Sequence, residues 1–306
     1  MKYLVLVGDR NGQFFYNIKD SINIRLSNIY VNLSYFKRVL RVFLNKFNLP
    51  VNWTYAEWKF LENDYDKIII EDATIDKRIF KFLRHKFPNS TIVYWFRNSL
   101  DAVDYVKSKN RHLEHGLLCD YVVSFDKNDC AYYNFKYVEN CYARDNALLL
   151  NIKSEYDMIF LGTDKSRYEI IMNVIHYSEQ LNWHNYIHIY SYTRKENNYI
   201  TNRFMAYKSY LELLVKSKVI LDIVDTSYQN GYSLRVFESL FYSKKLITNA
   251  IHIKQEPFYN PNNIFVIDFS NEKPFDGLKS FLEIPYINIS EDILSLYDFE
   301  SWLKRI

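Results

Sequence analysis

The chain has 306 residues, a length that suits two domains better than one. Apolar residues make up 48% of it and charged residues 25%, which is typical of a globular protein and argues against a disordered chain. The formal charge of +3, without a dense stripe of Lys and Arg, argues against a nucleic-acid partner. Three cysteines without metal-binding spacing suit a reducing compartment.

The N-terminal half alternates short apolar runs with amphipathic stretches, the pattern of a parallel sheet with helical crossovers. The first apolar run is too short for a signal peptide, and no segment reaches the roughly 18 apolar residues of a membrane span, so we expect a cytoplasmic protein. Helices are predicted at Ser34 to Phe47 and at Ile75 to Phe87. Strands are predicted at Tyr3 to Val7, Lys67 to Ile70, Thr91 to Phe96 and Tyr121 to Phe125.

Carboxylates follow two of these strands. Asp9 stands in the turn directly after the first strand, and Glu71 and Asp72 follow the strand that ends at Ile70. A carboxylate at a strand end can serve as a general base that deprotonates a hydroxyl. Asp9 has the best position for this role and Glu71 comes next, although each is also compatible with an ordinary loop carboxylate.

The strand from Tyr121 ends in Ser124-Phe125-Asp126 and opens a helix. This arrangement predicts that Ser124 and Asp126 lie at a cleft between two domains. The alternative is a purely structural cap, in which Asp126 accepts hydrogen bonds from the first backbone amides of the helix.

A second set of strands begins after the segment Arg144 to Glu155, so we expect domains at residues 1–150 and 151–306. The tail from Asp292 to Ile306 is amphipathic and is predicted to be helical. The strands of this second set are predicted at Asp157 to Leu161, Tyr186 to Tyr190, Val219 to Val224, Leu246 to Asn249 and Ile264 to Ile267.

The turn after the strand at Asp157 carries Gly162, Lys165 and Arg167. Open α/β sheets bind ligands beyond the carboxyl ends of their strands. A glycine there allows close approach of a backbone, and the two cations suit a phosphate. The alternative is an ordinary helix start capped by Asp164, and the spacing of a P-loop is absent.

A similar strand, loop and helix follow between Ile220 and Ala250. Gly231 lies near the end of the loop, Ser233 is placed to cap the helix, and Arg235 stands in its first turn. Backbone amides and a guanidinium at the positive end of a helix dipole favour a diphosphate. Glu238 follows one turn later and could accept hydrogen bonds from ribose hydroxyls. Alternatively, Ser233 is only a cap and Glu238 a solvated helix residue.

The pattern of Gly231, Ser233 and Glu238, with Lys244 and Lys245 after it, resembles the donor domain of GT-B glycosyltransferases. The turn from Gly162 to Arg167 and the Ser-Phe-Asp stretch resemble those of bacterial capsule and lipopolysaccharide glycosyltransferases. The resemblance implies an α/β fold of two Rossmann-like domains that face each other across a cleft. It also implies an acceptor domain at residues 1–150, a donor domain at 151–306, and a terminal helix at 292–306 that returns to the first domain.

The resemblance further implies transfer of a sugar from a nucleotide-sugar to a glycan or lipid-linked glycan in surface polysaccharide synthesis. No cofactor is expected, and inversion at the sugar is favoured because the position eight residues before Glu238 is Asn230 rather than Glu. The donor-binding residues would be Gly162, Lys165, Arg167, Gly231, Ser233, Arg235 and Glu238. Two alternatives stay open: a non-catalytic module that binds a glycan or partner, and a transferase of polyol phosphate from a cytidine-linked donor.

No metal site is expected, because the D-x-D pattern of metal-dependent glycosyltransferases does not occur at a credible strand end. Arginines, lysines and a helix dipole would then stabilise the departing nucleotide. The stretches Tyr35 to Lys46 and Lys77 to Lys86 are both basic and amphipathic. Each is compatible with a helix that packs on the core, and alternatively with peripheral contact to anionic lipid on the inner face of the plasma membrane.

Overall fold

The computed structural model describes residues 1–47, 49–62, 65–73, 76–100, 109–149, 152–164, 167–226 and 230–306. They form two compact units, residues 1–138 together with Ile306, and residues 139–305. The domain boundary predicted from the sequence lies near residue 150.

The first unit is built on one parallel sheet whose six strands follow the order β2-β1-β3-β4-β5-β6. The strands are β1 (Tyr3–Val7), β2 (Ile24–Asn28), β3 (Lys67–Glu71), β4 (Thr91–Phe96), β5 (Tyr121–Ser124) and β6 (Lys136–Tyr137). The described α-helices are α1 (Tyr35–Lys46), α2 (Arg78–Lys86), α3 (Lys109–Gly116) and α4 (Lys127–Tyr133).

The central strands of this sheet are almost continuously apolar. Every residue of β1 is buried, as expected of a strand that is covered on both faces. Helix α2 packs against the sheet through Ile79, Phe80 and Leu83, which belong to the same core cluster as Ile68 and Ile70 of β3. The alternation of apolar runs with amphipathic stretches therefore corresponds to a buried sheet with helices packed against it, as the sequence predicts.

The second unit repeats this plan with the strand order β12-β11-β10-β7-β8-β9, again parallel throughout. The strands are β7 (Tyr156–Thr163), β8 (Asn185–Tyr190), β9 (Ile200–Thr201), β10 (Ser217–Asp222), β11 (Lys245–Thr248) and β12 (Ile264–Val266). The described α-helices are α5 (Tyr168–Gln180), α6 (Tyr207–Leu214), α7 (Leu234–Phe241), α8 (Leu278–Glu283), α9 (Glu291–Ser295) and α10 (Phe299–Arg305).

The predicted fold class, α/β with two Rossmann-like units, is confirmed. The tail predicted as one helix is instead two, α9 and α10, because the chain turns at Tyr297 and Asp298. The carbonyl of Tyr297 accepts a hydrogen bond from the amide of Tyr142, and the amide of Phe299 donates to the carbonyl of Tyr142. Asp298 then caps α10 by accepting the amides of Glu300 and Ser301 at 2.8 and 3.0 Å.

Each sheet has a point at which the strand order reverses. In the first unit this point lies between β1 and β3, and in the second between β7 and β10. Loops that leave the carboxyl ends of two such strands run in opposite directions and open a crevice between them, which is where doubly wound sheets bind their ligands. Each unit is therefore expected to bind a ligand at its crevice.

No helix of the described residues is both long enough and apolar enough to cross a membrane.

Candidate functional site

The crevice of the second unit is bordered by the start of α7. Ser233 is the N-cap of this helix, and its hydroxyl oxygen accepts a hydrogen bond from the amide of Arg235 at 3.2 Å. The same hydroxyl donates to Oδ1 of Asp222 at 2.7 Å. The capping role predicted for Ser233 is therefore present, and the cap is tied to the last residue of β10.

Arg235 turns back over the carboxyl ends of β7 and β10. Its Nη1 lies 3.2 Å from Oδ1 of Asp222, and its Nη2 donates to the carbonyl of Leu161 at 2.7 Å. The guanidinium also stacks over the ring of Phe160, 5.1 Å from its centroid. Because Asp222 is fully buried, Arg235 supplies the countercharge that this carboxylate needs.

Gly162 makes the position of Arg235 possible. A Cβ at residue 162 would lie 2.2 Å from Nη2 of Arg235, closer than two such atoms can approach. The sequence predicts that a glycine here allows close approach of a backbone. In the structure the group that needs the space is the guanidinium of Arg235.

Arg167 is a second buried guanidinium at the same edge of the sheet. Its Nη1 donates to the carbonyl of Ile223, and its Nη2 donates to the carbonyl of Thr163 at 3.2 Å. Its Nε is buried and has no hydrogen-bond partner among the described residues. Burial, followed by the charge of Arg235, lowers the pKa of Arg167 to about 10, so that it remains a cation near neutral pH.

Glu238 is almost completely buried, with 1% of its surface exposed. Its two carboxylate oxygens accept hydrogen bonds from the hydroxyls of Tyr207 at 2.7 Å and Tyr210 at 2.6 Å. Tyr207 is in turn 3.0 Å from the hydroxyl of Tyr142. Burial raises the pKa of Glu238, while the two tyrosines and Arg235 act in the opposite direction. The carboxylate therefore organises a buried tyrosine cluster and is not a solvated helix residue.

The remaining predicted donor residues lie in different settings. Gly231 is buried in the loop that leads to Ser233, whereas Lys165 lies outside the described residues. Lys244 donates to the carbonyl of Val215 at 2.5 Å, and burial lowers its pKa to about 8. Lys245 donates to the carbonyl of Phe281. Both lysines thus serve the packing of the sheet edge.

Sequence reasoning missed two side chains near this site: Asp222 pairs with Arg235, and Arg194 lies beside the turn that follows β7. The sequence signal for Asp222 was its position as the last residue of a buried strand. Arg194 pairs with Asp164 at 2.6 Å beside the same loop and is partly exposed. The local sequence offers no signal for Arg194, because its partner is distant along the chain.

The crevice of the first unit holds Glu71 and Arg97. Glu71 accepts a hydrogen bond from the amide of Gly8 at 2.7 Å and pairs with Nη1 of Arg97 at 2.6 Å. Glu71 is buried, whereas Asp9 is exposed and accepts the amide of Asn11 at 2.9 Å. The two predicted base candidates therefore follow neighbouring strands but differ in accessibility and in their partners.

Arg97 was not predicted. Its guanidinium lies over three aromatic rings, 5.3 Å from the centroid of Phe14, 4.7 Å from that of Phe15 and 5.4 Å from that of Trp95. These cation–π contacts fix the position of the partner of Glu71. A sequence signal existed in the position of Arg97 directly after the strand Thr91 to Phe96.

Ser124 and Asp126 are both buried. Asp126 is the N-cap of α4, and its Oδ1 accepts the amides of Asn128 at 2.9 Å and Asp129 at 3.2 Å. The hydroxyl of Ser124 accepts the amide of Asp126 at 3.1 Å. The capping alternative is therefore realised, and a role for either residue in a cleft stays a prediction.

Among the described residues, no three His, Cys, Asp or Glu side chains are placed to hold a metal ion together.

Comparison with known proteins gives a relationship in structure and none in sequence. No protein-family model matches the chain, and no curated protein matches it in sequence. The structure is similar to that of a sucrose-phosphate synthase from Thermosynechococcus elongatus, with a TM-score of 0.55 and 12% identity over 100% of this chain and 97% of that one.

Two weaker likenesses were found. One is to the N-terminal domain of a trehalose-6-phosphate phosphatase from Candida albicans, with a TM-score of 0.41 and 12% identity over 99% of this chain and 92% of that one. The other is to the glycotransferase of kitacinnamycin, with a TM-score of 0.36 and 11% identity over the same shares. The chain has the fold of a GT-B-type glycosyltransferase, and the likeness extends to the fold alone.

Proposed function

We propose that the chain is a glycosyltransferase that moves a sugar from a nucleotide-sugar to a glycan or lipid-linked glycan in bacterial surface polysaccharide synthesis. The observation that carries this proposal is the pair of arginines at the crevice of the second unit. Arg167 and Arg235 lie at the carboxyl ends of β7 and β10, beside the start of α7. The shared fold with a sucrose-phosphate synthase supports the same class of reaction.

The chemistry of this crevice suits a departing nucleoside diphosphate. The carbonyl oxygens that Arg167 and Arg235 contact hold both guanidiniums in place before a ligand arrives. Charged donors that are already positioned where negative charge develops stabilise a transition state without reorganisation. The positive end of the α7 dipole adds to the same field. In this proposal the arginines, and Lys165 with them, supply the positive charge that faces the diphosphate.

The ribose role of Glu238 takes a more specific form in this proposal. Both of its oxygens hold tyrosine hydroxyls, and of the two tyrosines Tyr207 is the less buried. A ribose hydroxyl would therefore reach the carboxylate by displacing the hydroxyl of Tyr207, while Tyr210 stays in place. Gly231 and Ser233 would contribute backbone contacts at the start of the helix.

Binding of a nucleotide tests the donor site. We expect one of UDP, GDP, CDP or ADP to raise the melting temperature of the wild-type protein. A ligand at a hundredfold its dissociation constant adds about 2.7 kcal/mol to the free energy of unfolding. Arg167→Gln should abolish this shift, because it removes a cation whose Nε has no hydrogen-bond partner among the described residues. Thermal unfolding of both proteins with each nucleotide gives the measurement.

Arg194→Gln is the matched control, since it removes an arginine that is partly exposed and paired with Asp164. It should keep the nucleotide shift. If no nucleotide stabilises the wild-type protein, or if the two variants respond alike, the donor-site assignment is wrong and a non-catalytic binding module becomes the better account.

Asp9 is the proposed general base. Glu71 is the weaker candidate, because Arg97 and the amide of Gly8 already hold its two oxygens. We expect Asp9→Asn to lower kcat about 10²- to 10⁴-fold, the usual contribution of a general base. The melting temperature should stay unchanged, because Asp9 is exposed. Steady-state rates with the nucleotide-sugar identified by the binding experiment provide the measurement.

Glu71→Gln serves as the comparison for Asp9→Asn. It should lower the melting temperature, because it breaks a largely buried ion pair with Arg97. Full activity in Asp9→Asn, together with nucleotide binding, would leave the transferase proposal intact and remove Asp9 from it.

A further inference from the structure

Helix α1 is amphipathic with its apolar side turned outward. Helix positions three and four residues apart share a face, and Phe36, Val39, Leu40 and Phe43 follow this spacing. All four are exposed, with 75% of the surface of Phe36 and 55% of that of Phe43 open to solvent. No residue of α1 is buried. The ring of Phe47, just beyond the helix, lies 4.7 Å from that of Phe43 and continues the same apolar stripe.

The polar side of α1 is the side that contacts the first unit. Nε of Arg38 donates to the carbonyl of Leu33 at 2.8 Å, and the guanidinium of Arg41 lies 4.2 Å from the ring centroid of Tyr30. Oδ1 of Asn45 accepts a hydrogen bond from Arg78. A helix that packs on a core normally shows the reverse arrangement, with its apolar side inward.

Helix α2 provides an internal comparison. The two helices have the same basic amphipathic character in the sequence, but α2 buries Ile79, Phe80 and Leu83 in the core. Its apolar residues are therefore explained by packing. Those of α1 lack this explanation, although an exposed apolar stripe costs solvation free energy and commonly marks a surface that meets an apolar phase or partner.

The charge around the stripe has one sign. Between Val31 and Ala56 the chain contains two lysines, two arginines and no Asp or Glu. At about 100° per residue, Lys37 and Lys46 fall on the two borders of the apolar stripe. Lysines at such borders can extend their ammonium groups towards lipid phosphates, while the aromatic rings between the two lysines enter the boundary between headgroups and acyl chains.

We propose that the outward face of α1, formed by Phe36, Val39, Leu40, Phe43 and Phe47, docks on an anionic lipid surface. The aromatic and aliphatic side chains would enter the interface between headgroups and acyl chains, with the helix lying in the plane of the membrane. Lys37 and Lys46 would contact the anionic headgroups on both sides. This goes beyond the proposed sugar transfer, since it specifies where the protein is when it acts, and it can be tested without any enzymatic assay.

Vesicle co-sedimentation of the full chain tests this docking. We expect binding to vesicles of phosphatidylglycerol and phosphatidylcholine, weaker binding in high salt, and little binding to phosphatidylcholine alone. Lys37→Gln with Lys46→Gln should weaken the binding about 25-fold, which is about fivefold for each lysine near the surface. Phe36→Ser with Phe43→Ser should remove it. Because these side chains are exposed, all variants should keep the melting temperature of the wild type.

Two controls match these changes elsewhere in the first unit. Lys81→Gln with Lys86→Gln removes the same charge from α2, and Tyr132→Ser removes an aromatic side chain with 82% of its surface exposed. Both should bind vesicles as the wild type does. Equal loss in these controls would show a nonspecific effect of charge or hydrophobicity and would overturn the proposal.

A second copy of the chain is the competing occupant of this face. Analytical ultracentrifugation without lipid distinguishes lipid docking from self-association. If the face docks on lipid, the protein without lipid should form no dimer that depends on the apolar stripe. A dimer that dissociates in Phe36→Ser with Phe43→Ser, combined with no vesicle binding by the wild type, would overturn lipid docking in favour of self-association.

Discussion

Arg235→Met is expected to lower the free energy of unfolding of the second unit by about 3 to 5 kcal/mol, the usual cost of leaving one member of a buried ion pair alone. Asp222 would keep the hydroxyls of Ser233 at 2.7 Å and Thr248 at 3.4 Å but lose the cation 3.2 Å away. Urea unfolding, with hydrogen exchange of the β10 amides to assign the change to this unit, measures the effect. The variant should also lose the nucleotide-induced shift.

Two further variants show whether the loss of unfolding free energy comes from breaking the ion pair between Arg235 and Asp222. Asp222→Asn combined with Arg235→Met should cost less than the sum of the single changes, because the double variant leaves no buried charge uncompensated. Arg194→Met breaks a partly exposed pair with Asp164 and should cost no more than about 1 kcal/mol. An equal loss in Arg194→Met and Arg235→Met would contradict the argument from burial.

Acidification should unfold the first unit through a pair of buried histidines in α3. Burial lowers the pKa of His112 and of His115 from 6.5 to about 4. Nδ1 of His112 lies 2.6 Å from the hydroxyl of Tyr94, and the rings of Phe80 and Phe96 surround the pair. The neighbouring charges are Arg111, and for His115 also Lys77 and Asp76, of which only Asp76 favours protonation.

The direction of this effect follows from proton binding. Between pH 6.5 and pH 4 the imidazoles of His112 and His115 are protonated in the unfolded chain but stay neutral in the folded protein. Acid therefore favours unfolding. The stabilisation is complete above pH 6.5, is lost as the pH falls towards 4, and changes little below that. At about 1.4 kcal/mol for each pH unit, the two histidines together account for a loss on the order of 7 kcal/mol, comparable to the whole stability of many domains.

His115→Leu isolates the contribution of one imidazole. Nδ1 of His115 is buried without a hydrogen-bond partner among the described residues, so that its removal should cost little at pH 8 and should stabilise the protein near pH 4.5. His85→Leu replaces an exposed histidine in α2 and should leave the pH profile unchanged. Melting temperatures across this pH range provide the measurement. Equal acid sensitivity of the wild type and His115→Leu would refute this assignment.

The sequence allowed prediction of the central strands and of the edge strand β12, but not of the other three edge strands, β2, β6 and β9. β1, β3, β4 and β10 are continuous apolar runs, and such runs are recognisable because both faces of the strand are covered. β2 was missed because Arg25 and Ser27 alternate with its apolar residues, as suits a strand at the edge of the sheet. β6 and β9 were missed because a strand of two residues has no periodicity.

The candidate site was predictable as a set of positions but not as a set of contacts. The motif placed Ser233, Arg235 and Glu238 in one helical segment, and the cap at Ser233 is local and therefore readable. The partner of Arg235 at Leu161 is 74 residues away, and Tyr207 is 31 residues from Glu238. Only the folded sheet brings these groups together, so that the sequence alone could not show that Glu238 is already hydrogen-bonded.

The short edge strands of the two sheets affect how prone the chain is to aggregation while it folds. All pairs between the described strands are parallel, so two strands can pair only after the segment that connects them has crossed over the sheet. Folding that depends on such distant contacts is slow, and during that time the unpaired strands are accessible to neighbouring chains. An outer strand with many unpaired backbone groups then invites aggregation. β6 and β9 have two residues each and β12 has three, so at three of the four sheet edges another chain finds almost no backbone to extend. Lengthening one of these strands would increase aggregation during refolding without necessarily changing the stability of the folded protein.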